Sequence, residues 1–85
     1  MTTSIETTTS IVAGELVDAR GLSCPMPIVK TATLFRTIAS GTVVEVLATD
    51  PGSVKDFEAW GRSTGNELIE STQDGSVYRF VIRKA

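Results

Sequence analysis

Thr42-Val43-Val44-Glu45-Val46-Leu47-Ala48-Thr49-Asp50-Pro51-Gly52-Ser53 is the stretch on which the fold turns. The run from Thr42 to Thr49 is β-branched and apolar, and it stops at a breaker cluster before it is long enough for a helix. It reads as a strand, and its nearly unbroken apolar character places it in the middle of a sheet. Asp50-Pro51-Gly52-Ser53 then opens a helix. Two caps fit the pattern: Asp50 with Pro51 as the first helical residue, or Ser53 with Asp56 as a capping box. The sequence does not choose between them. Val54, Phe57, Gly61 and Thr64 recur at helical spacing as an inward stripe with Trp60 beside it, and Gly65-Asn66 ends the helix.

Upstream of the central run lies a second strand–helix pair. Glu15 to Ala19 is a short strand, and Arg20-Gly21-Leu22-Ser23 is a loop with Gly21 as its turn residue. A helix is expected to begin near Cys24, with Pro25 at its first position, where a missing N–H costs nothing, and Pro27 tolerated within the first turn. Ile28, Ala32, Phe35 and Ala39 mark its buried stripe, Lys30, Thr33, Arg36 and Thr37 its outer side, and Gly41 its C′ residue. Downstream, Glu67 to Thr72 and Val77 to Arg83 read as strands joined by a hairpin at Asp74-Gly75, expected as a type I′ turn. Tyr78, Phe80 and Ile82 alternate with Val77, Arg79, Val81 and Arg83, as in a sheet covered on one face.

The order is therefore βαβαββ. Right-handed crossovers place both helices on one face, giving an α/β two-layer sandwich with a four-stranded mixed sheet. With 85 residues there is room for one domain, expected at residues 13–85. Residues 1–12 are mostly Thr and Ser and read as a flexible N-terminal tail, although Ile11 and Val12 leave open an extension of the first strand's edge. The far face of the sheet, with Val43, Leu47, Val77 and Val81 exposed, offers a surface to another chain; a monomer is the favoured state.

Composition removes several classes of function. A net charge of −2 with no long basic run opposes a phosphate-neutralising surface, so no direct nucleic-acid binding is expected. The chain has 1 Cys and no His. That excludes an internal disulfide framework and any Ser-His-Asp or Cys-His machine built from this chain alone, and it removes the commonest metal ligand. No metal and no cofactor is expected. No targeting signal or membrane span is visible, and the default location is cytoplasmic, where thiols stay reduced.

Attention then falls on Asp18-Ala19-Arg20-Gly21-Leu22-Ser23-Cys24-Pro25-Met26-Pro27. A lone cysteine commonly packs as a small hydrophobe. Here it stands where a strand ends and a helix begins. The free N–H groups of a first turn and the helix dipole are expected to stabilise its thiolate, the reactive form of the group. Pro25 and Pro27 stiffen the direction of the sulfur, Gly21 lets the loop bend sharply, and Arg20 is a further source of positive charge. Met26 and Leu22 are either partner contacts or filling at the junction.

Gly21-Leu22-Ser23-Cys24-Pro25-Met26-Pro27 resembles the Cys-Pro-x-Pro signature of the TusA-type (SirA-like) sulfur-carrier family. Thr49 to Phe57 resembles the family's second block and Gly65-Asn66-Glu67-Leu68 its third, so the resemblance runs from about Gly14 to Lys84. It implies a βαβαββ domain and a sulfurtransferase of the carrier type. In such a protein Cys24 accepts sulfane sulfur as a persulfide, or in some members as a thiosulfonate, and passes it on. Implied partners are a sulfur donor (a cysteine desulfurase or rhodanese-like protein) and an acceptor in a relay towards tRNA thiolation, cofactor assembly or sulfur oxidation. Asp18 and Asp50 match motif acids, Asp50 more as a helix cap than as a chemical group. Two other classes stand beside this one: an RNA-binding module, suggested by the fold alone, and a redox-regulatory thiol.

Overall fold

The run that decides the fold from sequence is the inner strand of the sheet. In a computed structural model, which describes residues 14–85, the elements are β1 (Glu15–Ala19), α1 (Met26–Phe35), β2 (Val43–Ala48), α2 (Ser53–Thr64), β3 (Glu67–Asp74) and β4 (Val77–Arg83). The expected tail at residues 1–12, and the alternative extension by Ile11 and Val12, lie outside the described residues. Strand order is β1-β2-β4-β3, with β1 parallel to β2 and β4 antiparallel to both of its neighbours. This is the expected mixed four-stranded βαβαββ sheet. β3 runs parallel to β2 with β4 between them, so both crossovers step the same way and both helices cover one face.

The core lies between that face and the helices. Val17 and Ala19 from β1, Val44, Val46 and Ala48 from β2, and Phe80 and Ile82 from β4 are buried against Phe35 and Phe57. The Phe57 ring stacks on Phe80 at 4.5 Å, and the indole of Trp60 meets Phe35 edge-on at 5.0 Å. These contacts join the two helices to each other and α2 to the sheet, with offset and T-shaped geometry that the ring quadrupole favours.

Several expected details are corrected. α1 begins at Met26, two residues after Cys24, with Pro25 as its N-cap and not its first helical residue, and it ends at Phe35. Its buried line is Pro27, Thr31 and Phe35, with Ile28 and Ala32 half-buried and Ala39 exposed. The helix end has a long-range partner. Lys84 Nζ donates to the carbonyls of Phe35 and Ile38, both at 2.6 Å, and satisfies the end of the helix from the far terminus of the chain. Gly41 thus lies beyond the helix end, in the turn that leads to β2. Neither expected cap of α2 forms as written. Gly52 is the N-cap residue, and Ser53 is the first helical residue, buried, with its Oγ lacking a hydrogen-bond partner. Thr64, expected inward, is exposed.

The hairpin is also shifted by one residue. Asp74 pairs with Val77, leaving Gly75-Ser76 as the loop. Only Gly75 has positive φ, at 62°, which fits a type II′ turn and not the type I′ expected. In β3, a bulge at Ile69 shifts the register between Leu68 and Glu70. The far face of the sheet is not an open apolar surface. Val81 is fully buried, and Val43, Leu47 and Val77 are half-buried. Arg79 bridges Glu45 and Glu70 across three strands at 2.6 Å each, and this polar lattice covers Val81, which sits between the two glutamates in register.

Candidate functional site

β1 and β2 are parallel neighbours, so the loops that leave their C-terminal ends come out side by side. This is where open α/β sheets gather functional groups. The first loop turns at Gly21, whose φ of +82° only glycine adopts freely, and closes with a hydrogen bond from Leu22 N–H to Ala19 O at 3.2 Å. Gly21 N–H also donates to Thr49 Oγ1 at 2.9 Å, which ties this loop to the end of β2. Leu22 is half-buried and packs against the core. The chain then makes a second turn over Ser23-Cys24-Pro25-Met26, closed by Met26 N–H to Ser23 O at 2.8 Å, with a cis Cys24–Pro25 peptide. That arrangement is a type VI turn. Cys24 stands at its corner and is exposed. Pro25 precedes the helix as its N-cap residue, and Pro27 is buried inside the first turn.

The second loop supplies the sulfur's surroundings. Asp50 Oδ2 accepts the Cys24 N–H at 2.6 Å, and Asp50 Oδ1 accepts the Gly52 N–H at 2.9 Å. One carboxylate therefore holds the two loops together, and those two N–H groups draw its pKa below the ordinary carboxylate value. Cys24 Sγ donates to Asp56 Oδ2. A Cβ added at Gly52 would lie 3.7 Å from Cys24 Cβ and 4.0 Å from Sγ, so the absence of a side chain there keeps the flank of the sulfur open.

The charge around the sulfur has the opposite sign to the one expected. The Asp56 carboxylate, which accepts the S–H, pushes the thiol pKa up from 9.0; desolvation and the charge of Asp50 push the same way. The expected thiolate, stabilised by the start of α1, is overturned because Cys24 precedes that helix and two carboxylates face it. Arg20 does not supply the missing positive charge. Its guanidinium is held by Asp18 through Nε at 2.8 Å and Nη2 at 2.9 Å. That pairing lowers the Asp18 pKa to about 2. Lys30 Nζ donates to the Asp18 carbonyl at 2.8 Å, so Asp18 and Arg20 form part of the β1 end and do not reach the sulfur.

Of the residues singled out by sequence, the fold brings Cys24 and Asp50 into contact. It uses Gly21, Leu22, Pro25 and Pro27 to build the turn, and it leaves Asp18 and Arg20 to one side. From sequence, Asp56 reads only as a capping partner for Ser53. Its position was foreseeable from topology. Two successive βα loops on adjacent parallel strands must share one end of the sheet, and Asp56 lies in the first turn of the helix that follows the second loop. Met26 and Val29 are among the exposed large hydrophobics, at 47% and 46%, and both lie on α1 close behind the cysteine turn.

The fold thus places one exposed thiol on a turn at one end of a small two-layer domain. The sequence matches the family described as sulfurtransferase TusA across residues 15–84. It is 49% identical over 69 residues to the sulfur carrier protein TusA of Allochromatium vinosum, covering 81% of this chain and 91% of that one. It is 44% identical over 70 residues to YrkI of Bacillus subtilis, covering 82% and 93% of the two chains. Among solved structures, the SirA-like protein of Desulfitobacterium hafniense superposes with a TM-score of 0.72 at 24% identity, over 81% of this chain and 95% of that one, and so shares the fold. This chain belongs to the TusA sulfurtransferase family, which makes sulfur transfer its general role and implies proteins with which sulfur is exchanged. Among the described residues no helix is long and apolar enough to cross a membrane.

Proposed function

We propose that this chain is a sulfur carrier in which Cys24 takes sulfane sulfur from a donor protein, holds it as a persulfide and yields it to an acceptor protein. The observation that carries the reading is the placement of the chain's one cysteine, exposed at the corner of the Ser23–Met26 turn within Cys-Pro-Met-Pro. The sulfur attacks the outer sulfur of a donor persulfide, the donor's cysteine leaves as a thiolate, and an acceptor thiolate later repeats the exchange on the loaded Cys24. With no second thiol in the chain, the loaded form cannot resolve to an internal disulfide, so the protein holds sulfur until a partner removes it.

Donors of the cysteine desulfurase or rhodanese-like kind and an acceptor in a thiolation relay fit this role, with the reaction placed in a reducing, cytoplasmic setting. Asp50, Gly21, Leu22, Pro25 and Pro27 serve it by fixing the turn. A redox-sensing role would use the same exposed sulfur, and the product formed on Cys24, added oxygen or added sulfur, separates the two. An RNA-binding role is opposed by the net charge of −2 and by the two carboxylates at the functional end.

The test is intact-mass spectrometry of the wild type and Cys24→Ser after incubation with a cysteine desulfurase and cysteine, and separately with tetrathionate. A gain of one sulfur mass that a reductant removes and that the Ser variant lacks supports persulfide carriage. A thiosulfonate adduct from tetrathionate alone moves the cargo to oxidised sulfur. Added oxygen in place of sulfur refutes the carrier reading.

A further inference from the structure

A persulfide donor that docks over Cys24 covers an exposed sulfur and excludes the water that would otherwise take the thiol's proton. The proton needs an acceptor inside the interface. The chain contains no His, which removes the usual candidate. Asp50 has one oxygen on the Cys24 N–H and the other on the Gly52 N–H, so both are already engaged. Asp56 is different. It accepts the S–H itself, and among the described residues no ion pair involves it. It is half-buried in the first turn of α2, one residue before Phe57, whose ring is stacked on Phe80. The carboxylate is thus held on a packed element while the sulfur stands in an exposed turn, which is the arrangement a fixed proton acceptor needs.

We propose that Asp56 is the proton acceptor for Cys24 when sulfur passes between proteins; this rests on the carrier reading above. As Cys24 Sγ attacks the outer sulfur of the donor's R–S–SH, the bond between Sγ and that sulfur forms and the bond between the donor's two sulfurs breaks. The donor's inner sulfur leaves with the electron pair as a thiolate. The Cys24 proton moves to Asp56, which returns it to the departing thiolate. One thiol has become a persulfide and one persulfide a thiol, with no external oxidant or reductant. The groups that act on the sulfur are the carboxylates of Asp56 on α2 and Asp50 in the loop before it, and both disfavour its ionised form, so proton removal belongs to the reaction. Asp56 also keeps the idle sulfur protonated, and so less open to adventitious alkylation and oxidation between transfers.

Two rates on the full chain test this in the wild type, Asp56→Asn and Asp56→Glu. The first is alkylation of Cys24 by iodoacetamide as a function of pH, a reaction in which water reaches the sulfur. The second is sulfur uptake from a cysteine desulfurase charged with cysteine. In Asp56→Asn, alkylation at neutral pH is expected to speed up and its pH profile to move to lower pH, while uptake from the protein donor falls by roughly a hundredfold. Asp56→Glu keeps a carboxylate and is expected to recover uptake to within about tenfold of the wild type. An Asn variant that takes sulfur from the protein donor as fast as the wild type, or faster in step with its alkylation, overturns the proposal and leaves Asp56 as a group that only suppresses the thiolate. If the wild type itself takes up no sulfur, the carrier reading fails and this proposal falls with it. Asp56→Ser, too short to reach the sulfur, provides a second removal of the acceptor should the Asn chain fail to fold.

Discussion

Phe57→Ala is the substitution whose cost the structure fixes most directly. The ring is 1% exposed, stacks on Phe80 at 4.5 Å and 28°, and receives the edge of Trp60 at 6.1 Å. Removing it forfeits the transfer free energy of a buried aromatic side chain, about 2–3 kcal/mol. It also leaves a void of about 100 Å³ which, if nothing moved, would cost about 2 kcal/mol more. Trp60 is only half-buried and can lean into the space, so the void closes in part, and the net loss is expected at about 4 kcal/mol, within the usual range for Phe→Ala. A domain of this size has about 5–10 kcal/mol in total, so the variant should still fold but with its urea midpoint cut to about half. The assay is urea unfolding followed by tryptophan fluorescence, with Phe57→Leu as a control that keeps apolar volume and loses the stack, expected at about 1–2 kcal/mol. If Phe57→Ala loses less than about 1 kcal/mol at an unchanged denaturant slope, the packing described between α2 and β4 is wrong.

The other expectations concern backbone, thiol and surface charge. Gly65 closes α2 with φ +80° and its added Cβ would meet only Ala85 Cβ at 3.9 Å, so Gly65→Ala is expected to cost only the left-handed backbone penalty of about 1–2 kcal/mol, read as a lowered Tm. The folded-state pKa of Cys24 lies above its ordinary 9.0, so the contribution of the thiol is fully present below pH 9.0 and lost as pH rises through the folded value. The stability of Cys24→Ser should therefore fall less steeply than the wild type's above pH 9.0, as read by urea titrations at a series of pH values. Asp18 titrates at about 2 because of Arg20, and in Arg20→Ala its carboxyl should return towards 3.8 in an NMR titration, with little change in Tm because the pair is exposed.

What was legible in the sequence followed from local chemistry. β2 and β4 are marked by runs rich in β-branched and aromatic residues and β1 by the glycine-bearing loop that follows it, and the positions of all three match the structure to within a residue. The parallel step from β1 to β2 and the shared helical face follow from chain order and the handedness of crossovers. The misreadings share a different cause, which is contact between residues far apart in the chain. The end of α1 depends on Lys84, nearly fifty positions downstream, and a helical periodicity that continues to Ala39 carries no sign of it. The polar cover on Val81 needs Glu45, Glu70 and Arg79 in register across three strands, and a single strand's alternation shows only that Arg79 points away from the core. The site divides in the same way. The motif fixed the place of Cys24, but the sign of its surroundings came from Asp50 and Asp56, 26 and 32 residues away.

Gly52 has a consequence for the way cargo is held. Its φ of −64° is one that any residue adopts, so the backbone makes no demand for glycine there. A methyl group would lie 4.0 Å from the bare sulfur, an ordinary contact, and 3.4 Å from Asp50 Oδ1, a tighter one. A persulfide is longer by about 2.05 Å and pivots about the new bond, so it sweeps a volume that the resting thiol never enters. On a carrier, the missing side chain provides clearance for that rotation, and its value shows only when the sulfur is loaded. If Cys24 carries a persulfide as proposed, this end of the domain is fitted to a group that is present for part of each cycle, and measurements confined to the empty protein would miss what the residue is for.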